Sequence, residues 1–352
     1  MFTPLILDYI ETPGRQRHAD IVIDKLTKRD EDIRFLLELL DEMRTLVNGE
    51  DRQKIIRLIR HPLFDRHFRK LLFSNSSKKQ LLACVYYAKS GYMSKKMIHR
   101  LIDLSASEDI KLAYASAKVL QNSPHGFIRL QTLRGFFIRE DATSLMVGEL
   151  LHFFHHNVNE MYETSDYSLK SLLLQKSIAK ERKQIIIDYI AHHNLYEYSH
   201  FLHSYLKKLL YRPENRPLIQ SLITALGTLR VDEADTLIRS YASLPDAELR
   251  MCCVEALNDI GGEENLNFIS NMLFDIEFDV RKRIIRTLVQ NPDKGHELLE
   301  KFMLTYLRFL ARVWGNELPP NDVVFFIHKL RSITSGIRIM SANSVRRKTP
   351  VL

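Results

Sequence analysis

Residues 245–257, PDAELRMCCVEAL, decide the fold of this chain, because the same pattern returns at residues 276–288 as IEFDVRKRIIRTL. In the first copy Leu249, Cys253 and Leu257 stand at positions i, i+4 and i+8. Apolar residues at this spacing lie along one face of an α-helix. Such a face must be buried against another element, so each copy is predicted to be the first helix of a packed pair.

The interval that separates residues 245–257 from residues 276–288 also separates residues 245–257 from an equivalent stretch one unit upstream. Four sets of equivalent positions stay apolar or small: Leu218, Leu249 and Val280; Leu222, Cys253 and Ile284; Ala225, Ala256 and Thr287; Leu226, Leu257 and Leu288. A further apolar set follows each first helix: Leu237, Phe268 and Leu299, with Ile238 and Ile269 beside the first two. Each unit is therefore predicted to be a helical hairpin, and stacked hairpins bury a continuous core.

The turn before each first helix carries residues that start helices. Asp246 stands where an N-cap is expected, and the stretch Glu277–Arg281 repeats the arrangement. Together with Ala256 and Leu257 near the helix end, these turns resemble the HEAT repeat, best over residues 245–310. The resemblance implies an all-α fold, an α-α superhelix of the armadillo type, with first helices outside and second helices lining the concave side.

The predicted organisation has three parts. Residues 1–60 form an N-terminal helical cap, residues 61–310 form the repeats, and residues 311–352 form a C-terminal helix with a flexible basic tail. The repeats are most regular at 215–310 and irregular at 140–212. With 12 Gly and 11 Pro the chain has few of the turn residues that a many-stranded β fold requires.

The first part of the chain carries a second resemblance. Residues 3–10, then Leu46–Glu50 and Leu71-Leu72 are similar to the start of bacterial HEAT-repeat proteins that are often attached to the membrane by a preceding helix. Such proteins are often encoded beside glycosyltransferases. The resemblance implies a protein partner, with a co-encoded glycosyltransferase as its first candidate, and a location in the cytoplasm or at the inner face of the membrane.

Bulk composition narrows the function classes. The formal net charge is +8, from 51 basic and 43 acidic residues, which is a moderate basic bias. Three cysteines, Cys84, Cys252 and Cys253, cannot form a disulfide framework, so a reducing cytosol is expected. We expect no export or membrane-spanning segment, because the first apolar run breaks at Asp8 and no run of about 18 apolar residues occurs.

Catalytic and metal motifs are weak. Glu149 and His152 share the Glu-x-x-His spacing of some metal sites, as do Glu197 and His200, but carboxylates and imidazoles at the solvent boundary of amphipathic helices explain both pairs. The sequence has no Gly-x-Ser-x-Gly elbow, no Walker loop and no dinucleotide fingerprint. We therefore predict a protein that is not an enzyme and that needs no cofactor or metal.

The predicted function is a non-catalytic scaffold for protein–protein interaction, because stacked hairpins offer an extended surface. The second helices are expected to make the contacts. Glu264, Asn267 and Asn271 are the predicted contact residues, and they flank Phe268 and Met272, which are predicted to be buried.

The alternative is binding of nucleic acid or an anionic membrane surface through basic helix faces. Arg281, Lys282, Arg283 and Arg286 are its candidate phosphate contacts. Other basic runs occur at Arg66 with Arg69 and Lys70, at Lys180 with Arg182 and Lys183, and at Lys207-Lys208. A solvated helix face is the commoner explanation for such runs, so the scaffold is preferred.

Overall fold

The computed structural model describes residues 2–11, 23, 30–91, 93–158, 168–209, 211–291 and 294–314. Over those residues the chain forms eighteen α-helices and four short 3-10 helices, and no β-strand. The chain divides into two compact units, residues 1–182 and 183–352. Residues 315–352, which carry most of the predicted C-terminal helix and tail, lie outside the described residues.

The first unit is built from pairs of neighbouring helices. Its helices are α1 Phe2–Glu11, α2 Asp30–Leu46, α3 Gly49–Ile59, α4 Pro62–Leu72, α5 Ser77–Ser90, α6 Lys95–Ser105, α7 Ile110–Leu120, α8 Gly126–Ile138, α9 Ser144–Val158 and α10 Leu169–Leu174. Helix α11, Lys180–His192, begins in the first unit and ends in the second. Helix α4 packs on α5, α6 on α7 and α8 on α9, and α5 lies beside α7. This is an array of stacked helical hairpins.

One apolar core runs through the first seven helices. It extends from Ile6 in α1 to Leu120 in α7, both fully buried. Near its centre the rings of Phe68 and Tyr86 stack with centroids 4.2 Å apart. The Tyr86 hydroxyl donates to the carbonyl oxygen of Ile59 at 3.1 Å, which satisfies the polar end of a buried aromatic side chain. The predicted domain boundaries stay a prediction.

The second unit continues with shorter second helices. Its elements are α12 Ser199–Lys208, α13 Arg216–Thr228, α14 Asp235–Tyr241, α15 Ala247–Ile260, α16 Glu263–Asn271, α17 Phe278–Gln290 and α18 Lys294–Trp314. Helix α13 packs on α15 and α15 on α17, while α14 packs on α15 and α16 on α18. Among the described helices, none has both the length and the apolar content to span a membrane.

The repeat predicted for the first helices is confirmed. All twelve equivalent positions in α13, α15 and α17 are at most 4% exposed. Helices α13 and α15 approach closely at Gly227, where a Cβ atom would lie 2.6 Å from the Cα atom of Ala256. A side chain there would push the two helices apart, so the small residue at this position is a packing requirement.

The register predicted for the second helices was partly wrong. Ile238 and Ile269 are fully buried, but Phe268 and Met272 are only half-buried. The inward positions of α16 include Asn265 instead, which is 3% exposed. Its side chain accepts from Arg239 Nε at 3.0 Å and Nη2 at 2.7 Å, so a polar residue takes a place that periodicity assigns to an apolar one.

The turns before the first helices α15 and α17 are stabilised by aspartates at two different positions. The Asp246 side chain accepts from the Leu249 backbone N–H at 3.1 Å, so the predicted N-cap is confirmed. Glu277 occupies the N-cap position of α17 but makes no capping hydrogen bond with its side chain. The preceding Asp275 orders this turn instead, because its carboxylate accepts from the Glu277 backbone N–H at 2.9 Å.

Candidate functional site

Helix α16 carries the predicted contact residues on its outer face. Glu264, Asn267 and Asn271 are all exposed, as the helical spacing predicts. Glu264 accepts from Arg239 at 3.5 Å, and that contact is weak because the Glu264 side chain is 86% exposed. Their role in binding stays a prediction.

Immediately after α16 the chain exposes three large apolar side chains. Phe274 is 59% exposed, Ile276 is 86% exposed and Phe278 is 65% exposed. We call these three residues the apolar patch. The patch adjoins Asn271 at the end of α16, so apolar and polar exposed side chains meet at one end of this hairpin. Large apolar groups that stay in water at neighbouring positions mark binding surfaces.

A buried ion pair fixes the backbone beneath the apolar patch. Arg250 donates to the two carboxylate oxygens of Asp275 at 2.7 and 2.9 Å. The two side chains are only 8% and 9% exposed. Arg281 donates to the carbonyl oxygens of Asp275 at 2.6 Å and of Ile276 at 2.9 Å. The connection is therefore held from both sides, while the side chain of Ile276 stays in solvent.

The ion pair also sets the protonation of Asp275. Burial raises the pKa of this carboxyl, but the hydrogen bonds from Arg250 and from the Glu277 backbone outweigh burial, and the pKa lies below its usual range. Asp275 is therefore ionised at neutral pH, as the bidentate pair requires.

The apolar patch continues onto α18. The rings of Phe274 and Phe302 lie with centroids 4.8 Å apart, and Phe302 stacks on Tyr306 at 6.1 Å. Phe302 is half-buried and Tyr306 is 38% exposed. An apolar surface thus extends from the α16–α17 connection along one side of the following helix.

The predicted phosphate contacts on α17 are not a free basic row. Arg281 donates to the carbonyl groups named above and lies over the Phe278 ring, 5.8 Å from its centroid. Arg283 pairs with Glu255. Of the four, only Lys282 and Arg286 are exposed and have no such hydrogen bond, ring contact or ion pair with the described part of the chain. Two of the four cations are thus engaged within the protein, which does not favour binding of nucleic acid or an anionic membrane surface at this helix.

The candidate metal ligands do not come together in a site. Glu149 accepts from Lys118 at 2.6 Å and from the Tyr114 hydroxyl, and these two donors hold the pKa of its carboxyl below the usual range. Glu197 lies in the 3-10 helix Tyr196–Tyr198, whereas His200 lies in α12, so their spacing spans two elements. No group of three or more metal-ligating side chains comes together in the described part of the chain.

The cysteines are packing residues in this fold. Cys84 and Cys253 are buried, and Cys252 is half-buried with its Sγ atom 3.2 Å from the Thr224 hydroxyl. Burial raises the pKa of the Cys84 thiol to about 11 and moves the pKa values of Cys252 and Cys253 upward as well. Thiols in this state are protonated at neutral pH and are poor nucleophiles.

Comparison with known proteins does not assign a family. No protein-family model matches the chain, and no curated protein matches it. Among solved structures, an engineered protein is 14% identical with a TM-score of 0.25, covering 85% of this chain and 83% of that one. The complex of CpcE and CpcF of phycocyanin lyase from Nostoc is 12% identical with a TM-score of 0.28, covering 84% and 97%. TM-scores this low do not establish a shared topology, so the all-helical assignment rests on the helices themselves.

Sequence reasoning missed the apolar patch, although a signal for it exists. Phe274, Ile276 and Phe278 alternate with Asp275 and Glu277, and this spacing of two does not fit the helical stripe that begins at Val280. Apolar residues outside the helical period have no core position to fill. Their presence together in a short turn was therefore an indication of an exposed surface.

Proposed function

We propose that this chain is a non-catalytic scaffold that binds another protein through the apolar patch and the adjoining outer face of α16. The observation that carries the proposal is the exposure of Phe274, Ile276 and Phe278 on a connection whose backbone is fixed by a buried ion pair. A rigid apolar surface loses little conformational entropy on binding, so it contributes more of its burial energy to affinity.

The composition of this surface suits a protein partner. Protein–protein interfaces place aromatic and aliphatic side chains at the centre and polar groups at the rim. Here Phe274 and Ile276 supply the apolar centre, and Glu264, Asn267 and Asn271 supply the rim. Hydrogen-bonding side chains at the rim give orientation, and burial of the apolar side chains gives most of the affinity.

The resemblance to HEAT-repeat proteins adds detail to this proposal. The constant step between equivalent positions, the N-cap at Asp246 and the arginine that follows Leu249 support stacked HEAT-like repeats. A co-encoded glycosyltransferase is the first candidate partner, and the cytoplasm, including the inner face of the membrane, is the proposed location. The internal partners of Glu149 and the burial of Cys84 and Cys253 support a non-catalytic role.

A site-specific cross-link tests the proposal. A photo-reactive amino acid in place of Ile276 should capture one defined protein in the native host, because this side chain is 86% exposed at the centre of the patch. The same amino acid in place of Thr228, an exposed residue at the end of α13, is the matched control. Adding Phe274→Ser and Phe278→Ser should abolish the product. Identical products from positions 276 and 228, or no product from 276, would refute binding through the patch.

A further inference from the structure

The positive charge of this protein is concentrated in one part of the first unit. Residues 60–139 contain fifteen Lys and Arg and four Asp and Glu, a net charge of +11, whereas the whole chain carries +8. The remainder of the chain is therefore net negative. A segregation of this size gives a local field that acts on charged partners.

About half of these cations have internal partners. Charged or carbonyl groups are bonded to Arg60, Arg69, Lys89, Arg100, Lys118, Arg129 and Arg139. Seven others are exposed and have no ion-pair partner within the described residues: Arg66, Lys70, Lys78, Lys79, Lys95, Lys96 and Lys111. Arg66 and Lys70 towards the end of α4 and Lys78 and Lys79 at the start of α5 flank one connection, and we call these four residues the basic surface.

Helix stability does not account for where these lysines lie. Lys78 and Lys79 fall in the first turn of α5, Lys95 and Lys96 in the first turn of α6, and Lys111 in the first turn of α7. None of these first turns contains an acidic residue. A helix N-terminus carries partial positive charge, so each lysine there is mildly destabilising. At α5 and α6 these charges are therefore expected to cost stability. The start of α7 differs, because the Asp109 carboxylate caps that helix and accepts from the Lys111 backbone N–H at 3.0 Å.

The connection between α4 and α5 holds part of the basic surface in a fixed arrangement. Gln80, which is 5% exposed, donates to the Ser74 carbonyl oxygen, and the Ser74 hydroxyl donates to the Leu71 carbonyl oxygen at 2.8 Å. Arg100 from α6 donates to the Leu72 carbonyl oxygen at 3.5 Å. Lys70 and Lys78, on the two sides of this connection, are therefore carried by a well-bonded turn.

An open cleft of about 470 Å³ lies on α4 within this region. It is lined by Pro62, Asp65, Arg66, Arg69, Lys70 and Phe73. The one carboxylate, Asp65, is paired with Arg69 and accepts from the Tyr87 hydroxyl at 3.3 Å. Arg66 and Lys70 are then left uncompensated beside the Phe73 ring, which is 44% exposed. The cleft thus combines an apolar wall with two cations at its rim.

We propose that the basic surface binds an acidic segment of a partner protein, with one apolar side chain of that segment packed against Phe73 in the cleft on α4. This names the chemistry of the partner for the scaffold proposed above and rests on that proposed function. The carboxylates of the segment pair with Arg66 and Lys70 and, beyond the cleft, with Lys78 and Lys79.

The same observations disfavour nucleic acid and anionic lipid as the ligand of the basic surface. Three of the four cations of the basic surface are lysines, which lack the planar fork through which arginine donates two hydrogen bonds to a phosphate or a base. Phe73 lines a concave cleft, so it receives a side chain instead of inserting into a bilayer as interfacial aromatics do. A concave apolar wall with charges at its rim is the anatomy of a peptide-binding site.

Fluorescence anisotropy with the full chain tests this proposal. The probe is a labelled short peptide of Asp and Glu residues with one central Leu, titrated at physiological salt. Arg66→Gln with Lys70→Gln should weaken its binding by roughly fivefold, since each rim ion pair contributes modestly. Lys282→Gln with Arg286→Gln, which removes two exposed cations from α17, should leave the affinity unchanged. Circular dichroism should show both variants to be as helical as the wild type.

A second peptide separates specific from generic charge binding. Replacing its central Leu by Gly should weaken binding to the wild type, because the cleft then loses its apolar contact. Equal losses of peptide affinity in the two double variants would overturn the proposal. So would binding of duplex DNA or phosphatidylserine vesicles that is tighter than binding of the acidic peptide at the same salt. The cross-link from position 276 reports on the apolar patch alone, so failure of one proposal is distinguishable from failure of the other.

Discussion

The hairpins formed by α4–α7 and those formed by α14–α17 use the same packing but differ at their helix ends. In the second region the first turns of α15, α16 and α17 contain acidic residues, among them Glu248, Glu263 and Asp279. In the first region α4 keeps Asp65 in its first turn and α7 keeps Asp109 as its N-cap, but lysines such as Lys78 and Lys95 take those places in α5 and α6. Acids complement the helix dipole and lysines oppose it. Packing therefore sets the core of both regions, whereas the dipole does not account for the lysines at the starts of α5 and α6, to which the proposal above gives a binding role.

The turns of the two regions differ in the same way. In the second region Arg250 closes a turn by pairing with the carboxylate of Asp275. In the first region Arg100 of α6 bonds to the carbonyl oxygen of Leu72 at the end of α4, at 3.5 Å. The acceptor of this arginine is thus a neutral backbone group and not a carboxylate. Fewer acids in these turns contribute to the excess of positive charge in the first region.

Loss of the buried arginine should have the largest effect on stability. Arg250→Met leaves the Asp275 carboxylate buried and unpaired, which should cost about 3–5 kcal/mol of unfolding free energy. The matched change Arg100→Met removes only a bond to a carbonyl and should cost about 1 kcal/mol. Urea denaturation measures both values, and equal losses would contradict the difference between the two kinds of turn.

Core truncations should instead affect the two regions alike. Leu257→Ala in α15 and Leu120→Ala in α7 each remove a fully buried side chain, so each should cost about 2–5 kcal/mol. Ile276→Ala at the apolar patch should cost less than about 0.5 kcal/mol, because this side chain is already in water. Urea denaturation is again the measurement. A large loss at Ile276, or a negligible one at Leu120, would show that a face has been misassigned.

The acid sensitivity of the second region should depend on Asp275. Its folded-state pKa lies below the ordinary value of 3.8, so ionised Asp275 stabilises the fold above that pH. This contribution is lost as the pH falls from about 4 through the lower folded-state pKa. Asp275→Asn should be less stable at neutral pH and should lose less stability on acidification. Parallel pH profiles of unfolding free energy for the variant and the wild type would exclude Asp275 as the source.

The sequence predicted the first helices well because one face repeats with a constant step, and positions such as Leu226 and Leu257 have no polar competitor. It failed at the second helices because Asn265 is buried through hydrogen bonds to Arg239, a contact that periodicity does not encode. The basic surface was missed for another reason. A local run such as Arg66 with Lys70 is by itself typical of a solvated helix face, while the informative quantity is the charge summed over several hairpins.

The apolar patch shows which part of a candidate site is beyond helical periodicity. Whether Ile276 is exposed depends on the path of the connection, and that path is set by the ion pair between Arg250 and Asp275, which are distant in the sequence. Only the folded structure brings these two groups together. By contrast, Glu264 and Asn267 lie on a regular helix, so their exposure followed from spacing alone.

The proposal that the lysines at the start of α5 serve binding at the expense of stability is the central claim, and one double variant tests it most directly. Lys78→Glu with Lys79→Glu places acids in the first turn of α5, where each should stabilise the helix by about 0.3–1 kcal/mol. Unfolding free energy and affinity for the acidic peptide are measured on the same protein. We expect stability to rise while peptide affinity falls; a fall in stability, or an unchanged affinity, would contradict the claim.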